Sequence, residues 1–275
     1  MSRASSNALW RIIGVSALAS TLLLAGGFGY AVKDMLYPSA EPYSGTPVKP
    51  ALPEQTELSQ AKAINITAIG DSLTKGTGDA TGEGYVKQLV ALLKAKYPAI
   101  PVKLNNNLAV NGLRADQLAQ RLSSDKGYRY SLQQANLIVF TIGGNDLFQI
   151  ANGRAAGEAT GDIDLETVKK GLSDGLKRLE KVFQLLHDIN PNAHIVYTGL
   201  YNPFYNIADL RDGSLQVQRW NEKAYSLLYK YPNMLMVPSF DLFERSIASY
   251  LSNDHFHPNH EGYAQIAERI AQSLE

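Results

Sequence analysis

From about residue 61 to the end, short apolar runs alternate with amphipathic stretches. This alternation narrows the fold more than any other feature of the chain. Ala135–Ile142 is the clearest case, an almost unbroken apolar run with no polar face. Such a strand must be covered on both sides. Ile64–Ile69, Val102–Val110, His194–Gly199 and Met234–Val237 read as four further strands. Between them, Tyr85–Tyr97, Ala115–Leu122, Leu165–Ile189 and Leu215–Tyr231 carry apolar residues at helical spacing, and His260–Leu274 closes the chain in the same way. Strands that are apolar throughout and separated by helices predict a three-layer α/β/α fold with a mostly parallel five-stranded sheet.

The N-terminus has a different character. Ile12–Val32 is 21 residues without a charge, preceded by Arg3 and Arg11. That length spans a bilayer as a helix. It is longer than the usual apolar core of a secretory signal, and the Gly26-to-Ala31 stretch makes a poor cleavage site. We therefore expect residues 1–11 to be cytoplasmic and residues 12–32 to be a single-pass signal anchor in the cell membrane, with the remainder extracytoplasmic. Secretion after signal cleavage is the alternative. Residues 33–60 hold five of the twelve prolines and read as an extended linker. Residues 61–275 make up the folded domain.

Composition excludes several functions. The formal net charge is zero with no run of like charge, so no affinity for nucleic acid is expected. No cysteine is present, which rules out disulfides, thiolate metal sites and thiol nucleophiles.

In an open parallel sheet, sites form beyond the carboxyl ends of the strands. Three polar blocks fall at such places. Gly70-Asp71-Ser72-Leu73 follows the first strand, Asn111-Gly112 the second and Gly143-Gly144-Asn145-Asp146 the third. Ser72, at a strand-to-helix turn, is a candidate nucleophile. Its own backbone N–H, the N–H of Gly112 and the side-chain amide of Asn145 are candidate donors to an oxyanion. Asp71 is expected to brace the turn. Before the last helix comes Asp254-His255-Phe256-His257-Pro258. His257 is a candidate general base, with Asp254 three residues earlier to orient it. Together these are the parts needed for acyl transfer to water.

Two other readings of these residues are weaker. Ser72-Leu73-Thr74-Lys75 fits Ser-x-x-Lys, but no Lys-Thr-Gly follows. Asp254, His255, His257 and His260 cluster like metal ligands, but a metal site would leave Ser72 and Asn145 without a role. A non-catalytic anchored binding module is the third possibility, and the full complement of catalytic residue types argues against it.

The four ordered blocks resemble those of the GDSL, or SGNH, hydrolase family: Gly70-Asp71-Ser72-Leu73, Ala109-Val110-Asn111-Gly112, Gly143-Gly144-Asn145-Asp146 and Asp254-His255-Phe256-His257. The resemblance covers residues 63–275 and implies a flavodoxin-like sheet and a triad of Ser72, Asp254 and His257. It also implies an oxyanion hole of Ser72, Gly112 and Asn145, and a reaction needing neither cofactor nor metal. The expected substrate is a small ester, a lipid ester or an acylated glycan. A lysophospholipase-like esterase is the first reading and a polysaccharide or cell-wall deacetylase the second. Tyr201, Phe204 and Tyr205, after the fourth strand, either line the substrate pocket or pack locally. Residues 148–164, rich in Gly and Ala, can form a flap beside Asn145.

Overall fold

The structure is a computed structural model, and it describes residues 3–36, 57–147, 165–205 and 213–274. The chain divides into two compact units, Met1–Ala51 and Leu52–Glu275.

The first unit is helix α1, Arg3–Leu36. It extends past the expected residues 12–32 at both ends, because residues 3–11 hold no glycine or proline. It stops two residues before Pro38, whose ring disfavours helix in the residue that precedes it. Trp10–Lys33 has a mean hydropathy of 1.8 and no buried residues. By length and composition this segment can cross a membrane, as an anchor or as a signal sequence. Residues 37–56 of the expected linker lie outside the described residues. The second unit starts earlier than residue 61, since Leu58 is buried in its core.

That unit holds a five-stranded sheet of β1 (Ile64–Gly70), β2 (Val102–Asn107), β3 (Leu137–Thr141), β4 (His194–Thr198) and β5 (Met234–Val237). The order is β2-β1-β3-β4-β5, and every pairing is parallel. This is the doubly wound order in which the connection reverses direction between β1 and β3, opening a crevice at their carboxyl ends. The described helices are α2 (Ser72–Lys75), α3 (Gly84–Lys96), α4 (Ala115–Ser124), α5 (Lys126–Gln133), α6 (Leu165–Ile189), α7 (Gly213–Leu228), α8 (Phe240–Tyr250) and α9 (His260–Ser273).

All five residues of β3 are buried because both faces of the sheet are covered. Ile138 and Phe140 face one core with Leu122, Val182, Phe183 and Trp220, while Leu137 and Val139 face the other with Leu89, Phe243, Tyr263 and Ile266. The first core lies under α4 to α7, the second under α3, α8 and α9.

Two helices go beyond the alternation read from the sequence. Helix α5 carries few apolar residues and depends on its cap, Asp125, whose carboxylate accepts the N–H groups of Gly127 and Tyr128. Helix α8 is kinked at Ser246 and buries only Phe243 and Ile247, on either side of the kink. Strand β2 ends at Asn107 rather than Val110. Asn107 turns its amide onto the carbonyl of Thr74 (2.8 Å) and accepts the N–H of Ala109. Leu108 and Val110 still donate to Ala68 and Gly70 at 2.8 Å each, so the chain continues beside β1 without regular pairing.

Candidate active site

The site is built from the end of β1 outward. Gly70 has φ +123°, and a Cβ there would lie 2.1 Å from the carbonyl oxygen of Thr141. Only glycine permits this approach of β1 to β3, and it lets Asp71 donate its N–H to the same oxygen at 3.1 Å. Asp71 then caps α2. One carboxylate oxygen accepts from the Leu73 N–H (3.1 Å) and from the Thr141 hydroxyl (2.6 Å). This is the expected bracing role, made deeper by burial. Burial pushes the Asp71 carboxyl up to about 6, against the pull of the Thr141 and Leu73 hydrogen bonds. The turn holds Ser72 at the top of the sheet, 7% exposed.

The partner loop comes from the other end of the chain. Residues 251–258 form a closed loop: Leu251 bridges Pro258 antiparallel, and Ser252 N–H donates to the His257 carbonyl at 2.8 Å. His255 takes φ +56° at the bend. Within this loop Asp254 accepts the Ser252 hydroxyl (2.7 Å) and the N–H groups of Phe256 and His257 (2.9 Å each) through Oδ1. Its Oδ2 meets His257 Nδ1 at 2.6 Å. Partial burial works against the charged form, but the hydrogen bonds from His257, Ser252 and the backbone outweigh it and hold the Asp254 carboxyl well below its usual range. An ionised carboxylate only accepts, so the proton at this contact sits on Nδ1. His257 Nε2 is then the acceptor facing Ser72 Oγ, at 2.9 Å. The imidazole is 17% exposed and Asp254 45%. This chain of groups can take the hydroxyl proton of Ser72 and return it to a leaving oxygen.

The other expected residues are gathered at the same sheet edge. Asn111 accepts the Thr77 hydroxyl at 3.0 Å, which ties the turn after β2 to the turn after α2. Gly112 has φ +74° and open space on its side-chain side. Asn145 donates one amide N–H to the Leu113 carbonyl at 2.9 Å, so the turns after β2 and β3 are joined. Residues 148–164, the expected flap, lie outside the described residues.

The three aromatics do not share one position. Tyr201 is buried, stacked on Phe243 at 4.0 Å between ring centroids, and its hydroxyl donates to the Phe256 carbonyl at 2.7 Å. It is thus placed as a brace for the histidine loop. Phe204 is half-buried, 6.1 Å from the Phe256 ring, which stands edge-on to His257 at 4.8 Å. Tyr205 is half-buried beside it in sequence. Within the sequence cluster of Asp254, His255, His257 and His260, the backbone bends at His255, with φ +56°. His260 turns instead to Asp79 and Thr81 on the loop after α2.

Several residues at the site escaped the sequence reading. Thr141 links Asp71 to Thr74 (2.7 Å), and Thr74 meets the Tyr85 hydroxyl (2.8 Å), forming a buried polar chain behind Ser72. Asp146 accepts the Ala115 N–H and the Arg178 guanidinium. Asp146 closes the third polar block, one residue after Asn145 in a helical turn, and the block alone did not set its role apart from that of Asn145. Thr74 and Thr141 gave no signal, since threonine is common in strands and turns.

An all-parallel α/β/α sheet bearing a serine–histidine–aspartate chain at its carboxyl edge defines a serine hydrolase. Comparison with known proteins narrows the class. The profile of the GDSL-like lipase/acylhydrolase family matches residues 68–265. The chain is 34% identical over 221 residues to the uncharacterized protein YpmR of Bacillus subtilis strain 168, covering 79% of this chain and 84% of that one. It is 24% identical over 213 residues to the spore germination lipase LipC of Bacillus licheniformis, covering 75% and 94%. Among solved structures, the lipase Lip_vut3 from a goat rumen metagenome superposes with a TM-score of 0.64 at 23% identity, covering 78% of this chain and all of that one. The protein belongs to the GDSL-like lipase/acylhydrolase family and is a serine ester hydrolase.

Proposed function

We propose that the protein cleaves carboxylic esters of lipid character through an acyl-Ser72 intermediate. The observation that carries the reading is the continuous hydrogen-bonded path from Ser72 Oγ through His257 to Asp254, at 2.9 and 2.6 Å. In this mechanism Ser72 Oγ attacks the ester carbonyl while its proton passes to His257 Nε2. The tetrahedral oxyanion accepts hydrogen bonds from the N–H groups of Ser72 and Gly112 and from the second amide N–H of Asn145. Collapse breaks the bond to the alcohol oxygen, which takes the proton from His257. Water then repeats the sequence on the acyl-enzyme, releasing the acid and restoring Ser72. Asp254 holds the ring and offsets the imidazolium charge throughout.

The lipid reading draws on the apolar helix α1, on the aromatic rings of Phe204 and Phe256 beside His257, and on LipC, a lipase by name. In the same proposal α1 anchors the hydrolase domain on the outer side of the membrane through the proline-rich linker. That linker also suits a deacetylase acting on glycans away from the bilayer, which is the second reading.

Hydrolysis of p-nitrophenyl esters from acetyl to palmitoyl, with Ser72→Ala alongside, tests both. Turnover should vanish in Ser72→Ala and peak at medium or long chains. A sharp acetate preference would assign the deacetylase, and equal rates for the two proteins would refute the mechanism.

A further inference from the structure

The turns that carry the proposed oxyanion donors are tied together by two hydrogen bonds. One tie runs from Asn145 Nδ2 to the Leu113 carbonyl, at 2.9 Å. The second runs from the next residue, Asp146, whose Oδ2 accepts the N–H of Ala115 at 2.9 Å, at the start of α4. The two ties thus join adjacent positions, 145 and 146, to alternate positions, 113 and 115, just beyond Gly112. One hydrogen bond alone is a pivot. Two such bonds fix both the separation of the turns and the angle between them.

Asp146 reaches this place at the expense of its hydration, since its side chain is wholly buried. The α4 N-terminus presents an unpaired N–H and a partial positive charge to it. Arg178, on α6, supplies the full counter-charge, with Nε donating to Asp146 Oδ1 at 3.0 Å and its side chain 35% exposed. Neither residue touches Ser72, His257 or Asp254 among the described hydrogen bonds. The same Asn145 amide makes the first tie and is assigned to the oxyanion. Slack in the second tie therefore passes directly to the donor.

We propose that Asp146, held by Arg178, is a positioning residue that sets the spacing of the Gly112 N–H and the Asn145 amide. This rests on the reading of Gly112 and Asn145 as oxyanion donors. Oxyanion contacts form only in the transition state, so a loosened cradle lowers kcat and leaves KM nearly unchanged.

The test is a double-mutant cycle on the full chain in detergent, with active sites counted by phosphonate titration so that misfolded protein does not enter the rates. Asn145→Ala should lower kcat about 100-fold, as removal of one oxyanion donor does. Asp146→Asn should lower kcat tenfold or more with KM within twofold, and on the Asn145→Ala background only threefold or less. Arg178→Lys should keep at least half of wild-type kcat, while Arg178→Gln should follow Asp146→Asn.

If Asp146→Asn shows its full loss on both backgrounds, or raises KM instead of lowering kcat, the positioning role is overturned. If Asn145→Ala loses nothing, the oxyanion reading fails first and the positioning role falls with it. If Asp146→Asn does not fold, the Arg178→Gln and Asn145→Ala cycle decides by the same coupling.

Discussion

Gly78→Ala gives the sharpest test of how rigidly the histidine loop is held. Gly78 has φ +96°, and a Cβ there would lie 2.7 Å from His257 Cβ, 2.7 Å from the Pro258 carbonyl and 3.0 Å from Ser252 Oγ. Carbon atoms in contact sit about 3.5–4.0 Å apart, so one side must retreat by roughly 0.8 Å or more. The Gly78 turn is firmly held. Thr77 N–H donates to Ser72, the Tyr263 hydroxyl donates to the Thr77 carbonyl at 2.7 Å, and Asp79 is fixed by the N–H groups of Thr81 and Gly84. The loop carrying His257 is exposed at Asn253, Asp254 and His255 and should give way there, lengthening the 2.9 Å contact with Ser72. A misplacement near 1 Å costs about 100-fold in rate, so kcat should fall 10- to 100-fold with little change in KM. The left-handed backbone adds about 1–2 kcal/mol and the overlap about 1–3 kcal/mol of destabilisation. Ester hydrolysis and thermal unfolding of the same preparation measure both effects. A variant that loses stability but keeps wild-type kcat would refute the argument, because the turn and not the catalytic loop would then have moved.

Three further outcomes are expected. Asp254→Asn should lower kcat about 10⁴-fold, because the amide no longer selects the Nδ1–H tautomer of His257. Its folded carboxyl lies below the unfolded value, so the wild type loses Asp254's contribution as pH falls below about 4, and acid unfolding of the variant should be less steep there. Asp71→Asn should flatten the stability profile between pH 4 and 6 in urea titrations. The wild-type carboxyl is pushed up to about 6 in the folded state, so folding takes up a proton in this window and stability falls as pH rises through it. The full effect is at most about 3 kcal/mol at neutral pH, and an asparagine Oδ1 can keep both hydrogen bonds to Leu73 and Thr141. An unchanged slope would refute the burial argument. Tyr201→Phe should cost about 1 kcal/mol and several-fold in kcat by releasing the Phe256 carbonyl, and unchanged unfolding with unchanged rate would count against the brace.

The parts of the fold legible in the sequence were those whose signal is local. Strand β3 is buried on both faces, and that alone produces an unbroken apolar run. Asp254 and His257 meet inside a single eight-residue loop, so their spacing foretold their contact. Residues with distant partners stayed hidden. Tyr201 reads equally as a pocket wall or a brace, because the carbonyl it holds lies 55 positions away. Gly78 is one glycine in a polar loop until the Cβ of His257 is placed against it. Asp146 and Arg178 lie 32 positions apart on segments whose periodicity says nothing of each other. Helices α5 and α8 stayed hidden for a different reason: they are short, 8 and 11 residues, and each buries only two large apolar residues four positions apart, Tyr128 and Leu132 in one and Phe243 and Ile247 in the other.

The contact between Ser72 and His257 spans 185 positions of chain. A polypeptide still emerging from the ribosome therefore carries its nucleophile long before its base, and no shorter intermediate holds both. The order of synthesis keeps the enzyme silent until the loop of residues 251–258 is free to close against the end of β1. The appearance of esterase activity is accordingly a clock for the closure of that loop onto Ser72, readable without a spectroscopic probe.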